Sequence, residues 1–306
     1  MEKDIQHTKS RRNYFLAAFL APFIWGFMSI PVRILNGYPA EDILYYRILS
    51  AVVLLWLFIL IFRKKKLIAD YHHFNELTKS EKKKISWLTL LASILIFANW
   101  YTFIYSINNV SIQSAALAYM ICPLITTFAA YFILKEGLSP LKKFALFLAF
   151  FSCCLLATGS FLDIAWAITI ASSYAFYLII QRVLQGFDKL TILAVQLLIC
   201  SAFVVPLLLI SNHSLPTDPV FWETVVIIAV FFTIIPLYFS MYALIKISSS
   251  TTGVLLYINP ILAFLLAIFY FKESIEPYKY IAYGILLIAI MLFNWKILKN
   301  VVFGKK

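Results

Sequence analysis

The sequence contains little charge. Only 13% of its 306 residues are charged and 63% are hydrophobic, whereas an ordinary soluble protein is about 25% charged. So few polar groups cannot solvate the surface of a globule of this size, which excludes a soluble fold and predicts extensive contact with lipid. The net charge of +12 lies in short segments between apolar runs. That pattern indicates membrane topology and argues against a nucleic-acid-binding face.

The sequence also lacks the residues of metal and catalytic sites. Its four histidines lie in the N-terminal tail or in loops, and its four cysteines lie in apolar segments without metal-ligand spacing. No phosphate-binding loop, zinc-protease motif or nucleophile elbow is present. No acidic residue lies in the middle of an apolar run, so no proton-relay residue is evident. We predict no catalytic residue, no metal, no cofactor and no enzymatic activity.

What the sequence has is a series of apolar segments, each about long enough to cross the hydrocarbon core as a helix. This predicts an all-α, polytopic membrane protein of ten transmembrane helices. The candidate spans are 14–35, 42–62, 85–107, 112–134, 141–159, 161–183, 190–211, 222–245, 251–271 and 278–298.

The chain repeats itself. One ungapped register aligns Pro123 with Pro260 and the pair Lys135-Glu136 with the pair Lys272-Glu273. The register predicts two homologous halves, 14–159 and 161–298, with five helices each. Because five is an odd number, the second half enters the membrane from the opposite side, which makes the repeat inverted. Inverted repeats are typical of secondary transporters that work by alternating access.

The basic residues predict the orientation. If the N-terminus is cytoplasmic, nearly all lysines and arginines outside the spans face the cytoplasm, including those of a long basic loop, 63–84. Lys272 and Lys279 are the outer exceptions. The positive-inside bias therefore predicts that both termini are cytoplasmic.

Aromatic and amide side chains near mid-membrane are candidates for a substrate cavity, which we expect between the halves, lined by helices one, three, four, six, eight and nine. Each has a plainer alternative: an amide can join two helices, a ring can face lipid, and a proline can improve packing. The helix-interior prolines Pro123 and Pro260 each free one carbonyl and are predicted kinks. The other candidates are Trp25, Asn99, Trp100, Tyr119, Tyr174, Gln196, Tyr257 and Asn259.

Arg47 is a cation just over one turn inside the second span. A charge at that depth is costly unless it is paired or faces water. Two roles are open: the side chain could snorkel to the outer surface and pair with Glu41, or it could bind an anionic group of a substrate in the cavity.

Short motifs in this order resemble the RarD-like family of EamA-domain proteins in the drug/metabolite transporter superfamily. They include Ile24-Trp25-Gly26, Ala40 to Leu44 followed by Arg47, Ala98-Asn99-Trp100, and Tyr257 to Glu273. Cys122 departs from the pattern, because the family usually has asparagine before this proline. The resemblance implies ten helices and a small-molecule permease of the bacterial inner membrane.

The leading hypothesis is a secondary transporter of small metabolites, with amino acids and amphipathic drugs as candidate substrates, most plausibly exported. The competing hypothesis is a non-transporting membrane scaffold or receptor, which a dry, fully packed centre would favour. The expected partners are a small-molecule substrate and the lipid bilayer, without nucleic acid. A homodimer is a further option, because the sequence does not determine the oligomeric state.

Overall fold

The structure, a computed structural model, describes residues 2–157, 160–211, 213–272 and 276–302, and all regular structure in these ranges is helical. The helices are α1 (Glu2–Gly26), α2 (Ser29–Ile34), α3 (Ala40–Phe62), α4 (Lys64–Glu76), α5 (Lys79–Asn109), α6 (Ile112–Ile133), α7 (Pro140–Leu156), α8 (Phe161–Val183), α9 (Lys189–Ile210), α10 (Pro219–Ile227), a π-helical segment (Ile228–Ile234), α11 (Ile235–Ala243), α12 (Ser249–Leu255), α13 (Ile258–Phe269), α14 (Pro277–Phe293) and α15 (Trp295–Val302).

Eight helical segments within the described ranges are long and apolar enough to cross a membrane. They are Arg12–Ile34, Ala40–Phe62, Lys79–Asn109, Ser114–Ile133, Phe161–Val183, Lys189–Ile210, Pro219–Ala243 and Ser249–Phe269. The other two predicted spans correspond to α7 and α14, which have 17 residues each and pack against each other. The prediction of an all-helical, multi-pass membrane protein is confirmed, whereas the number ten stays a prediction.

The outer surface of α7 shows how the helices face lipid. Phe144, Phe147, Phe150 and Phe151 are each about half exposed or more, at spacings that place them on one side of the helix. An exposed row of phenylalanines is unfavourable in water and favourable in a bilayer. The low charge of the chain and its exposed apolar surface therefore have the same cause.

The basic segment after α3 is a helix, not the loop that we predicted. α4 has no buried residue, but one side of it touches the connection between α8 and α9. The Asp188 amide donates to the carboxylate of Asp70 at 3.1 Å, and the rings of His73 and Phe187 lie 5.0 Å apart. These contacts order a segment whose charge alone indicated only a solvated connection, and they place α4 at the same end of the bundle as the α8–α9 connection.

Helices from the two halves of the chain interdigitate. The most extensive contacts join α6 to α8, α7 to α14, α5 to α8, α1 to α11, and α3 to α9. Each of these pairs takes one helix from before residue 160 and one from after it. Most of the core therefore forms between the halves, and neither half buries its own apolar surface alone.

The aligned Lys-Glu pairs end their helices in a similar way. Lys135 and Lys272 both adopt the left-handed backbone conformation, with φ angles of 55° and 57°. The Glu136 carboxylate then accepts hydrogen bonds from the amides of Ser249 and Ser250, at 2.7 and 2.9 Å. Glu136 thus caps the first turn of α12, where a negative charge is favourable. The glutamate aligned with it lies outside the described residues.

Gly26 marks a close approach between α1 and α13. A Cβ atom at this position would lie 2.5 Å from Cβ of Leu262, whereas a Cβ at Gly284 would meet nothing within 4 Å. Small residues allow membrane helices to approach each other in this way. The neighbouring backbone cannot yield as a flexible side-chain tip would.

Replacing Gly26 with alanine should therefore destabilise the fold by about 1–3 kcal/mol, the usual cost of overpacking. The measurement is the thermal unfolding midpoint of the purified protein in detergent. Gly284→Ala, the same change at an open position on α14, is the matched control and should leave the midpoint unchanged or slightly raised. Equal midpoints for both variants would contradict the close approach.

Candidate functional site

A cavity of about 470 Å³ lies at the centre of the bundle. Its walls come from the break between α1 and α2, from α3, α5, α6 and α8, from the π-helical segment and α11, and from the break between α12 and α13. These are the six spans from which we expected a cavity, together with α3. The volume lies within the usual range of small-molecule sites.

Seven of the nine predicted side chains line this cavity: Trp25, Arg47, Asn99, Trp100, Tyr119, Tyr174 and Asn259. Two of the rings are in contact, since Trp25 and Tyr174 meet edge to face at 5.8 Å. Asn99 also joins two walls, because its Nδ2 donates to the carbonyl of Ile170 at 2.9 Å. Apart from these groups and Arg47, the wall is mostly aliphatic or aromatic.

Gln196 and Tyr257 do not belong to the cavity lining. The Gln196 side chain is buried between α8 and α9, and its Oε1 accepts a hydrogen bond from Gln181 Nε2 at 3.0 Å. It therefore has the helix-joining role that we held as the alternative. Tyr257 is fully buried behind the wall, with its hydroxyl 3.7 Å from Sγ of Cys153, and the neighbouring Leu256 lines the cavity instead.

The two predicted kinks differ. α6 runs unbroken through Pro123, whereas the helix that contains Pro260 is interrupted just before it, between Leu255 and Ile258. The carbonyl of Leu256, which Pro260 cannot bond, accepts from the amide of Asn259 at 3.1 Å. We expected this carbonyl to be free, but a tighter turn satisfies it.

The same arrangement occurs at a break that we did not predict. Pro31 cannot bond the carbonyl of Phe27, and this carbonyl accepts from the amide of Ile30 at 3.0 Å. The first span is accordingly divided into α1 and α2 at the cavity wall. The sequence signal was present, since the break lies four residues before a proline.

The third irregular segment is the π-helical turn before Pro236. Pro236 leaves the carbonyl of Phe232 without its usual donor, and the indole Nε1 of Trp25 donates to this carbonyl at 2.8 Å. Trp25 thus joins the first half of the chain to the second at the cavity wall. π-Helical turns are often found at functional sites.

Arg47 faces the cavity. Its guanidinium lies 5.0 Å from the centre of the Trp100 ring, and its Nε is buried without a hydrogen-bond partner. Among the described residues no carboxylate lies within ion-pair distance of it. The pairing with Glu41 that we considered is not formed, because the Glu41 carboxylate accepts a hydrogen bond from Nδ2 of Asn108 at 2.7 Å.

The end of the bundle that carries α4 is closed. The rings of Tyr14 and Tyr242 stack at 4.5 Å, and Tyr238 stacks on Tyr242 at 5.9 Å. Beside them Arg63 and Asp188 form an ion pair of 2.6 Å. These contacts join both halves of the chain and separate the cavity from the end that we predict to be cytoplasmic.

Towards the opposite end, the lining continues to Val32, Ala40 and Ile107, near the ends of α2, α3 and α5. At this end Asp42 of α3 is paired with His213, in the connection after α9, at 2.9 Å. The hydrogen bond and the charge of Asp42 raise the pKa of His213 above its usual 6.5. The imidazolium form is therefore favoured in the folded protein.

These features precede any comparison with known proteins. The EamA-like transporter family matches the sequence twice, over residues 12–158 and 162–295. The chain belongs to the EamA-like transporter family.

Relatives across the family support the same assignment. The protein RarD of Streptomyces exfoliatus is 27% identical over 95% of this chain and 90% of its own length. The protein RarD of Escherichia coli K12 is 25% identical over 93% and 95%, and the uncharacterised transporter YojE of Bacillus subtilis is 27% identical over 96% and 97%. The resemblance to RarD-like proteins is thereby confirmed, and these relatives point to a transporter role.

One solved crystal structure covers 92% of this EamA-family chain and 96% of its own, with a TM-score of 0.76 at 14% identity. At this identity the likeness shows the fold alone. The relatives indicate no catalytic activity, in agreement with the absence of enzyme motifs from the sequence.

The Trp25 bond can be tested by comparing two tryptophans. Trp25→Phe keeps most of the ring but leaves the Phe232 carbonyl without a donor, which should cost about 1–3 kcal/mol. Trp56→Phe is the matched control, because Nε1 of Trp56 is buried and donates to no described group. Thermal unfolding of both variants is the measurement, and an equal loss in the two would show that the Trp25 bond contributes nothing specific.

The Asp42–His213 pair predicts a pH dependence. Because the folded pKa of His213 is raised, the stabilisation is complete below about pH 6.5 and is lost as the pH rises through the folded pKa. The unfolding midpoint should therefore fall more between pH 6 and pH 8 in the native protein than in His213→Gln. His72→Gln, at an exposed position of α4, should follow the native profile. Identical profiles for all three proteins would exclude the pair as a stabilising contact.

Proposed function

We propose that this EamA-family protein is a secondary transporter that moves small amphipathic metabolites by alternating access. The observation that carries the proposal is the central cavity, which is closed at one end by contacts between the two halves and extends towards the other. Alternating access requires such a site, with barriers on its two sides that open in turn.

The inverted repeat of ten helices, 14–159 and 161–298, belongs to the same proposal. It is supported by reciprocal packing: α1 contacts α11 as α8 contacts α5, and α6 contacts α8 as α13 contacts α1. The matching left-handed lysines after α6 and α13 add to it. α7 and α14 would be the fifth and tenth spans, each about 26 Å long at 1.5 Å per residue, slightly shorter than the hydrocarbon core.

The proposed location is the inner membrane of a bacterial cell with both termini in the cytoplasm. The basic residues support this orientation, because those of α4, of the α6–α7 connection and of the C-terminal segment would all face the cytoplasm. The direction of transport and a homodimer stay predictions.

The chemistry of the wall indicates the substrate class. The lining contains one cation, Arg47, and none of the lining residues described is acidic. A desolvated cation without a carboxylate partner favours a ligand that brings its own negative charge. Trp25, Trp100 and Tyr174 would then pack on an apolar or aromatic body. We propose a small organic acid with an apolar part, which includes the carboxylate end of an apolar amino acid and is less compatible with a cationic drug.

A non-transporting scaffold or receptor is less favoured. That alternative was tied to a dry and fully packed centre, and the centre holds a cavity instead. Three breaks in regular helix also border the cavity, at 27–28, 228–234 and 256–257. Irregular backbone at membrane depth is tolerated where it lines a cavity, and a passive scaffold has no need of it.

The test is flux into or out of proteoliposomes, measured with a panel of apolar amino acids, aromatic carboxylic acids and uncharged amphipathic drugs. Arg47→Gln should reduce transport of the acids at least about tenfold, because a hydrogen bond to a charged group is lost, and should affect the uncharged compounds much less. Arg47→Lys keeps the charge and should retain part of the acid transport.

Two outcomes would contradict the proposal. If no compound in the panel moves and none raises the unfolding midpoint, the transporter proposal fails for this class. If Arg47→Gln impairs charged and uncharged compounds equally, the cavity is used but Arg47 does not bind an anionic group. Lys83→Gln, at an exposed position far from the cavity lining, is the control for loss of one positive charge.

A further inference from the structure

A second, smaller cavity lies at the α4 end of the bundle, apart from the central one. Its volume is about 230 Å³, several times the space that one water molecule needs. The polar groups that line it are four cations and two hydroxyls: Lys142, Arg182, Lys246, Lys296, Ser248 and Thr251. No lining residue within the described part of the chain is acidic.

The cations converge from four separate parts of the fold. Lys142 lies in the first turn of α7, Arg182 in the last turn of α8, Lys246 between α11 and α12, and Lys296 at the start of α15. Arg182 is held in place because its Nη1 donates to the carbonyls of Leu244 and Ile245. Sequence distance cannot explain this cluster, since packing of four elements creates it.

The cluster is electrostatically unfavourable without an anion. Lys142 and Lys296 lie at the beginnings of helices, where the backbone dipole disfavours a positive charge, and all four cations repel one another. The nearby carboxylate of Glu136 is engaged, since both of its oxygens accept from the amides of Ser249 and Ser250. An additional anion would therefore stabilise this end of the bundle.

The setting suits an anionic headgroup. Lys142 Nζ lies 4.7 Å from the centre of the Phe293 ring, so the cavity has one apolar wall beside its cations. Trp295, next to Lys296, is 46% exposed, as is usual for a tryptophan at a membrane interface. On α14, Ile281, Leu287 and Ile288 are exposed apolar residues that continue this surface along the lipid-facing side.

We propose that this basic cavity binds a phosphate-type anion at the cytoplasmic surface, either the phosphodiester headgroup of an acidic lipid or a free phosphate. Basic pockets between membrane helices on the cytoplasmic side are suited to anionic headgroups. The hydroxyls of Ser248 and Thr251 supply donors beside the four cations. The site is distinct from the central cavity, shares no lining residue with it, and does not depend on transport.

The experiment measures anion binding on the full chain, with two probes. In the first arm, the protein is reconstituted in phosphatidylcholine nanodiscs with increasing shares of cardiolipin, and retained lipid is counted by native mass spectrometry. In the second arm, inorganic phosphate is added to the protein in a neutral detergent, and the unfolding midpoint is followed. A bound ligand raises this midpoint with its concentration.

The variants are chosen so that the fold is kept. Lys246 and Lys296 are exposed, and the double variant Lys246→Gln/Lys296→Gln removes two charges from the cavity. Binding should weaken about fivefold for each lysine removed, as expected for a cation near an anionic surface. Lys246→Arg/Lys296→Arg keeps the charge and should bind normally. The matched control Lys83→Gln/Lys84→Gln removes two exposed charges from the start of α5 and should also bind normally.

Each outcome decides the proposal. Cardiolipin retention that is lost only in the glutamine variant of the cavity supports a lipid headgroup, and a phosphate response with the same dependence supports a free anion. An equal loss in the cavity variant and in the α5 control would reduce the effect to general surface charge and overturn the site. Absence of both responses in the native protein would also overturn it. Neither result bears on flux through the central cavity, so failure here is distinct from failure of the transporter proposal.

Discussion

A backbone carbonyl in a membrane must find a donor inside the protein, because lipid offers none. Three prolines impose this constraint at the centre of the bundle by removing the amide proton that Phe27, Phe232 and Leu256 would otherwise use. Two of the carbonyls accept from an amide one residue closer, which breaks the helix, and the third accepts from a tryptophan of the other half. All three breaks border the cavity, so the shape of the site depends on how these carbonyls are satisfied.

The cavity is less symmetric than the repeat. α3 contributes Arg47 to its wall, whereas none of its lining residues comes from α9, the corresponding helix of the second half. Gln196 of α9 instead bonds Gln181 of α8, which uses its acceptor within the second half. The only charge in the lining therefore lies on one side of the cavity. A substrate bound there would have a preferred orientation, with its charged end towards α3 and its apolar part towards the aromatic side chains.

The sequence predicted what depends on composition and on local chemistry. Apolar runs located the helices, and residue types near mid-membrane identified most of the cavity wall, including Trp25, Arg47 and Asn259. It did not separate Asn99 from Gln196, because both are amides at similar depth and only packing decides which one faces the cavity. Tyr257 was misplaced for the same reason, since the break before Pro260 sets the direction of its side chain. The breaks before Pro31 and Pro236 were accessible from the sequence, as each lies four residues before a proline.

The contacts that close the α4 end of the cavity are individually weak. A partly exposed ion pair such as Arg63–Asp188 contributes about 1 kcal/mol or less, and an aromatic pair such as Tyr14–Tyr242 about 0.5–1.5 kcal/mol beyond its buried area. Their sum is close to the free energy that corresponds to a tenfold change in an equilibrium constant. A ligand with a modest preference for one conformation could therefore shift the balance between closed and open forms, and this end of the bundle is built to be reversible at ambient temperature.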